Sequence, residues 1–334
     1  MTEQENLELL YINRPVMRPK AKTWVKHIAL LAVTFCTATI AGLMYPFGHY
    51  LWFEKFDPQT VSELLTLPLV YPSLIADAVA TAFSQPGGIA YGLEFSISLL
   101  FVLVSHEMGH YIACRKYHVD ATLPFFLPVP PMVGPAGTFG AFIKILSPMP
   151  SRKAVFDIGV AGPIAGFVAL LPVAFIGLVT MEPGANVAAG SGLVFADPLL
   201  MHLGGILVGK NPSTSYGNAF YYAAWVGLLV TALNLIPSGQ LDGGHAIYAV
   251  FGERIHKWTG RIAFPIMATL SIVGLIYFGS PSGFLVAIIL AVMMRIRHPQ
   301  PWDMTPLDTK RKVIAFLTLV IFVLCFVPFP IQIN

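Results

Sequence analysis

The sequence predicts an all-α polytopic membrane protein of about seven transmembrane helices, six to eight in all, with a short pair of strands among them. Three observations predict it. Hydrophobic residues make up 56% of the 334 and charged residues 11%, with a mean hydropathy of +0.71. Soluble domains carry about 25% charged residues, so this chain has too few to coat a globule in water and its surplus apolar surface must face lipid. Apolar runs approaching the roughly 20 residues of a spanning helix recur along it, and its basic residues sit in short clusters between those runs.

The chain opens with a mostly polar segment, residues 1–26, that holds Arg14, Arg18, Lys20, Lys22 and Lys26. It makes a poor signal peptide, being long and lacking a clear small-residue cleavage site, so the first apolar run is expected to remain as a helix. Spans are expected at 28–47, 93–113, 155–180, 218–237, 262–279 and 313–331. A shorter run, 284–294, pairs with 262–279 through the turn Ser280-Pro281-Ser282-Gly283. Two further stretches, 64–83 with Pro68, Pro72 and Asp77, and 192–209, are expected to be re-entrant or interfacial.

Orientation follows from the basic clusters. With the N-terminus in the cytoplasm and the seven runs alternating, only Lys55 and Lys210 of the 20 Lys and Arg fall outside. The opposite orientation would place the other 18 there, against the positive-inside rule. Residues 27–334 are therefore expected to form one membrane-embedded domain. No basic run long enough to track nucleic acid is present. Cys36, Cys114 and Cys325 offer neither a disulfide framework nor a C-x-x-C metal pair.

Ionisable residues inside a span are costly and point to function. The run 93–113 carries Ser105-His106-Glu107-Met108-Gly109-His110. Histidines at i and i+4 project from one helix face, so His106 and His110 can reach one metal ion, and Glu107 can reach a water beside it. Uncompensated in lipid, these three side chains would cost on the order of several kcal/mol, which argues for a metal. Catalytic zinc takes three protein ligands and keeps one position open.

The third ligand must come from elsewhere. Glu94 lies three turns away along the same helix, too far to share the ion. Asp157 is expected to cap the next span or to pair with Arg152 or Lys153, and His118 to be a solvated loop residue. The stretch from Asn234 to His245 is the best source. Pro237 and Gly239 interrupt the helix there, which is tolerated at membrane depth only against protein or a wet cavity. Asp242 and His245 both follow the break, and spacing leaves both in contention. In the orientation above, both motifs end on the cytoplasmic side.

Between the motifs, Leu123–Pro131 is too proline-rich for a helix, and Gly137–Ile143 reads as short strands with glycine turns. Gly162-x-x-x-Gly166 offers a small-residue face for close helix packing.

Together, His106-Glu107-Met108-Gly109-His110, Gly137–Ile143, Ala161–Gly166 and Gly227–Pro237 with Gln240–His245 resemble the site-2 protease family of intramembrane zinc metalloproteases. The resemblance runs over about 90–251 and is greatest to the compact bacterial branch, which is similar to the chloroplast members. It implies one zinc ion per chain on His106, His110 and Asp242, with Glu107 as general base. It also implies Asn234 near the substrate and His245 as a packing neighbour. The strands after the first motif would form a membrane-associated hairpin able to take an unwound substrate as an extra strand. The implied activity is regulated intramembrane proteolysis of single-span membrane proteins in the lipid bilayer. The implied place is the bacterial inner (cytoplasmic) membrane, with the active site towards the cytoplasm. There is no room for the PDZ or CBS domains of many relatives. The alternative is a membrane metal-ion transporter using the His/Asp cluster as a pathway. The glutamate of H-E-x-x-H and the absence of a visible inverted repeat argue against it.

Overall fold

The computed structural model describes residues 17–132, 134–184, 193–296 and 298–333, so the first sixteen residues of the polar segment 1–26 lie outside them. Within them the apolar runs are helices, where every backbone polar group can be satisfied inside its own segment. In chain order these are α1 (Ala21–Leu43), a single turn α2 (Val61–Leu64), α3 (Leu67–Ser84), α4 (Gly88–Lys116) and α5 (Arg152–Val179). They continue with α6 (Leu199–Val208), α7 (Ala219–Asn234), α8 (Asp242–Phe251), α9 (Glu253–Phe278), α10 (Ser282–Met293) and α11 (Thr309–Cys325).

Five of these, α1, α3, α4, α5 and α9, are long and apolar enough to cross a membrane. The expected spans 218–237 and 284–294 appear as the shorter helices α7 and α10, of 16 and 12 residues. At 1.5 Å per residue α7 reaches about 24 Å, less than the roughly 30 Å of a hydrocarbon core. The stretch 64–83, expected to be re-entrant or interfacial, contains a continuous 18-residue helix that meets the length and composition of a span. Its prolines explain the difference. Pro68 stands in the first turn, where a missing N–H costs nothing, and Pro72 lies within the helix without ending it. Within the run 192–209 a three-residue strand, Leu193–Phe195, precedes the ten-residue α6.

Between α4 and α5 lie β1 (Phe125–Pro128) and β2 (Thr138–Phe142), an antiparallel pair with Phe125 opposite Phe142, Phe126 opposite Ala141 and Pro128 opposite Thr138. α1 is tied to it: His27 Nδ1 donates to the Pro124 carbonyl at 2.8 Å, and its ring meets Phe125 edge-on. Two further small pairs join β3 (Glu182–Pro183) to β5 (Ser215–Tyr216), and β4 (Leu193–Phe195) to β6 (Ile331–Ile333).

Of the hydrophobic clusters among the described residues, two are built around α4 and α5. One packs Phe95, Leu99 and Leu103 of α4 with Leu170 and Val173 of α5 and Trp225 and Leu228 of α7. The other packs Cys114 of α4 with Val155, Phe156 and Ile158 of α5 and Tyr248 and Ala249 of α8. His106 and His110 fall on α4 between Leu103 and Cys114, at the junction of the two.

Asp157 has different partners from those expected. Arg152 is engaged at the C-terminus of α8, where it donates to the Ala249 and Val250 carbonyls at 2.6 and 3.2 Å. Those carbonyls have no helical donor, so a guanidinium satisfies them. Asp157 instead pairs with Arg311 of α11 at 2.6 Å and accepts from the Tyr117 hydroxyl. Ser151, rather than Asp157, caps α5.

Candidate metal centre

Three side chains converge at the junction of the two core clusters. His106 and His110 stand one helical turn apart on α4, both buried. Asp242 is the first residue of α8. Its Oδ2 lies 3.2 Å from His106 Nε2 and 3.3 Å from His110 Nε2, and the two Nε2 atoms are 3.2 Å apart. Four bonds of about 2.0–2.1 Å in a tetrahedron span edges of about 3.3–3.4 Å, so a zinc ion fits against this triangle of donors. Among the described residues it is the group of His, Cys, Asp and Glu side chains that could hold a metal.

The tautomer of His110 is set by its other nitrogen. Nδ1 lies 2.7 Å from the Ile158 carbonyl, which can only accept. Nδ1 therefore carries the proton and Nε2 turns a lone pair to the triangle, the arrangement a metal-bound imidazole uses. Three electron-rich atoms facing one another in a buried place call for a cation.

The backbone brings these groups together at two crossings. At the first, α5 presents glycine to the histidines. A Cβ on Gly162 would meet His110 Nε2 at 2.1 Å, and one on Gly166 would meet His106 Cβ at 3.0 Å. The Gly-x-x-x-Gly spacing legible in the sequence therefore seats the two imidazoles as well as packing the helices. At the second crossing, the chain reverses between α7 and α8. Gly239 takes φ +55°, a left-handed value that suits glycine, and a Cβ there would also strike Met293 at 2.6 Å. Its carbonyl accepts from His256 Nε2 at 2.9 Å. That anchored turn delivers Asp242 to the start of α8, where the helix dipole also favours a carboxylate.

Glu107 is buried and lines, with the triangle, a cavity of about 190 Å³ shared by Ala141, Phe142, Ile143, Gly159, Asn234 and His245. The Ile143 amide faces its carboxylate. Asn234, the last residue of α7, brings its side-chain amide within 3.4 Å of His106 Nε2. His245 stands apart from the triangle. Its Nδ1 lies 2.6 Å from His298 Nε2, and its Cβ packs where Gly159 leaves space. The structure thus gathers His106, His110 and Asp242, with Glu107 and Asn234 beside them, and pairs His245 elsewhere. The Ile143 and Ile158 backbone contacts went unforeseen, because backbone groups carry no sequence signal.

The Peptidase family M50 model matches residues 94–278, more than half of the chain and inclusive of every residue of the triangle. The chain belongs to peptidase family M50. It is 30% identical over 285 residues to Probable zinc metalloprotease EGY1, chloroplastic, of Arabidopsis thaliana, covering 81% of this chain and 46% of that protein. To the protein of the same name from Oryza sativa subsp. japonica it is 29% identical, over 72% of this chain and 40% of that one. To Probable zinc metalloprotease EGY2, chloroplastic, of Arabidopsis thaliana it is 27% identical, over 78% and 46%. The chain spans less than half the length of each of these relatives. As a peptidase family M50 member with several apolar helices long enough to span, it is an integral membrane protein.

Proposed function

We propose that this M50 protein is an intramembrane zinc metalloprotease that hydrolyses peptide bonds in or near transmembrane segments of membrane proteins. The observation that carries the proposal is the triangle of His106, His110 and Asp242 donor atoms, 3.2–3.3 Å on each edge, with the Glu107 carboxyl in the same buried cavity. The names of the relatives, zinc metalloproteases, support it.

His106, His110 and Asp242 would hold the ion. A zinc ion there would supply Lewis acidity, lowering the pKa of a water to near neutral and polarising the scissile carbonyl. Glu107 takes a proton from the attacking water as its oxygen bonds to the carbonyl carbon. It then delivers that proton to the amide nitrogen as the C–N bond breaks. Asn234 donates a hydrogen bond to the substrate backbone, or to the carbonyl oxygen as charge develops on it. β2 borders the cavity through Ala141 and Phe142. In this reading it receives a locally unwound substrate as an added strand, because an intact helix shields its carbonyls.

The same reading takes residues 27–334 as one membrane-embedded unit with its catalytic core at about 90–251. It has seven helices crossing the bilayer, its N-terminus and active site towards the cytoplasmic side, and single-span membrane proteins as substrates. The distribution of basic residues supports that orientation. Family membership disfavours the transporter reading.

The test uses purified protein in detergent or lipid with a membrane-spanning reporter. Cleavage that depends on zinc, is removed by a chelator and returns with added zinc is expected. A protein that binds no zinc, or that cleaves equally well without it, would overturn the proposal.

A further inference from the structure

A second, larger cavity of about 660 Å³ is lined by other residues than the metal pocket. The N-terminal turns of α9 and the residues after α10 form it, with Gly239 in its wall. Two links join its lining to that of the metal pocket. Gly239 belongs to the turn that delivers Asp242, and His298, which lines the larger cavity, is the partner of His245, which lines the smaller.

Its lining is basic. Among the described residues that line it, Lys257, Arg261 and Arg295 face it against a single carboxylate, Glu253. Glu253 is already engaged, 2.6 Å from Lys257 and 3.2 Å from the Gln300 amide. The Arg261 guanidinium rests 5.6 Å from the centre of the Trp258 ring. Two guanidinium charges thus exceed the local negative charge, in a chain where charged residues are only 11% of the total.

Polar groups behind the basic rim also lack partners. Ser238 Oγ and Tyr248 Oη are buried without a hydrogen bond among the described residues. Ser238 lies against Gly260, a lining residue, and the Tyr248 ring stacks on the lining His298 at 3.9 Å. Position along α9 gives the depth. Trp258 is exposed among basic residues, and Ile262 begins the apolar stretch that follows. That order of residues sits at the level of lipid headgroups.

We propose that this cavity binds a phosphate-bearing anion, either a phospholipid headgroup or a soluble phosphate, held by Arg261, Arg295 and Lys257. Guanidinium groups suit phosphate because their planar forks donate paired hydrogen bonds to it. An occupant would lie against Gly239 and His298, the two residues that link this cavity's lining to the metal pocket. Binding here stands independently of the proteolytic reading.

The test takes the full chain in a neutral detergent and titrates it separately with inorganic phosphate, dihexanoyl phosphatidic acid and dihexanoyl phosphatidylcholine. Thermal unfolding and native mass spectrometry report binding, and a cooperative unfolding transition without added ligand reports that each variant is folded. One phosphatidic acid is expected per chain, bound more tightly than phosphatidylcholine. Affinity should fall about tenfold or more in Arg261→Gln/Arg295→Gln, fall less in Lys257→Gln, and stay unchanged in Lys312→Gln, a basic residue outside the cavity. Saturable binding of inorganic phosphate with the same dependence would assign the site to a soluble ligand. Equal binding of phosphatidylcholine, binding unaffected by the double variant, or no binding of either anion would overturn the proposal.

Discussion

Gly162 and His110 pack so closely that a single methyl group on the glycine would stand 2.1 Å from the imidazole Nε2. No side chain but hydrogen can occupy that position while His110 keeps its place. Gly162→Ala should therefore displace His110 from the triangle and lower zinc affinity about 10–100-fold or more, on the scale of losing a group that orients a ligand. Metal analysis after dialysis against a graded chelator checks this. An alanine variant with unchanged zinc affinity would show that the α4–α5 crossing relaxes without cost.

Glu107 shares the cavity with the triangle but is not one of its three donors. Glu107→Gln should keep about one zinc per chain and lose about 10²–10⁴-fold in cleavage rate, the usual contribution of a positioned acid–base group. Activity and metal content measured on the same preparation separate the two effects. Retained cleavage would point to another base.

Asp242 and His245 should respond unequally. Asp242→Ala removes one of the triangle's three donor atoms and should abolish stoichiometric zinc. His245→Ala breaks the contact with His298 and should leave zinc bound, with the smaller loss of activity. The reverse order would reassign the ligand.

Gly239 holds a left-handed φ of +55° with Met293 against it. Gly239→Ala should cost about 1–3 kcal/mol in backbone strain and lower zinc occupancy as well, because the same turn delivers Asp242. Denaturation of the zinc-loaded and chelated forms distinguishes the two effects.

Arg311 and Asp157 make an ion pair away from the metal, linking α11 to α5 with Tyr117 of the α4 end. Both side chains are partly exposed, so Arg311→Gln should cost only about 1–2 kcal/mol. Its zinc content should stay at the wild-type level, which thermal unfolding and metal analysis together would show.

These cases divide what the chain's residues announce from what they conceal. His106, Glu107 and His110 were legible because an i, i+4 pair in a helix faces one way whatever surrounds it. The membrane-embedded class was legible from the shortage of charge. The ends of the helices were less so. The run 218–237 stops being helical at Asn234, and 64–83 continues through Pro72, since neighbouring segments decide how much irregular backbone can be satisfied.

Partnerships across long stretches of chain were the least legible. Asp157 was expected to cap its helix or to pair with Arg152 or Lys153 nearby, yet its partner is 154 residues on. Arg152 serves instead the unsatisfied carbonyls at the end of α8.

By itself the sequence determined that the chain lives in a membrane, that one helix offers two imidazoles on a common face with a carboxyl between them in sequence, and that a broken helix end carries Asp242 and His245. It also carried the resemblance that implied Asp242. Only the tertiary structure decided which of those two side chains lies within 3.3 Å of both histidines. The reason is physical. Local periodicity sets the direction of side chains within one helix, whereas the meeting of two segments depends on how closely backbones can pack. Here that depends on a glycine beneath His110 and on a left-handed turn before Asp242.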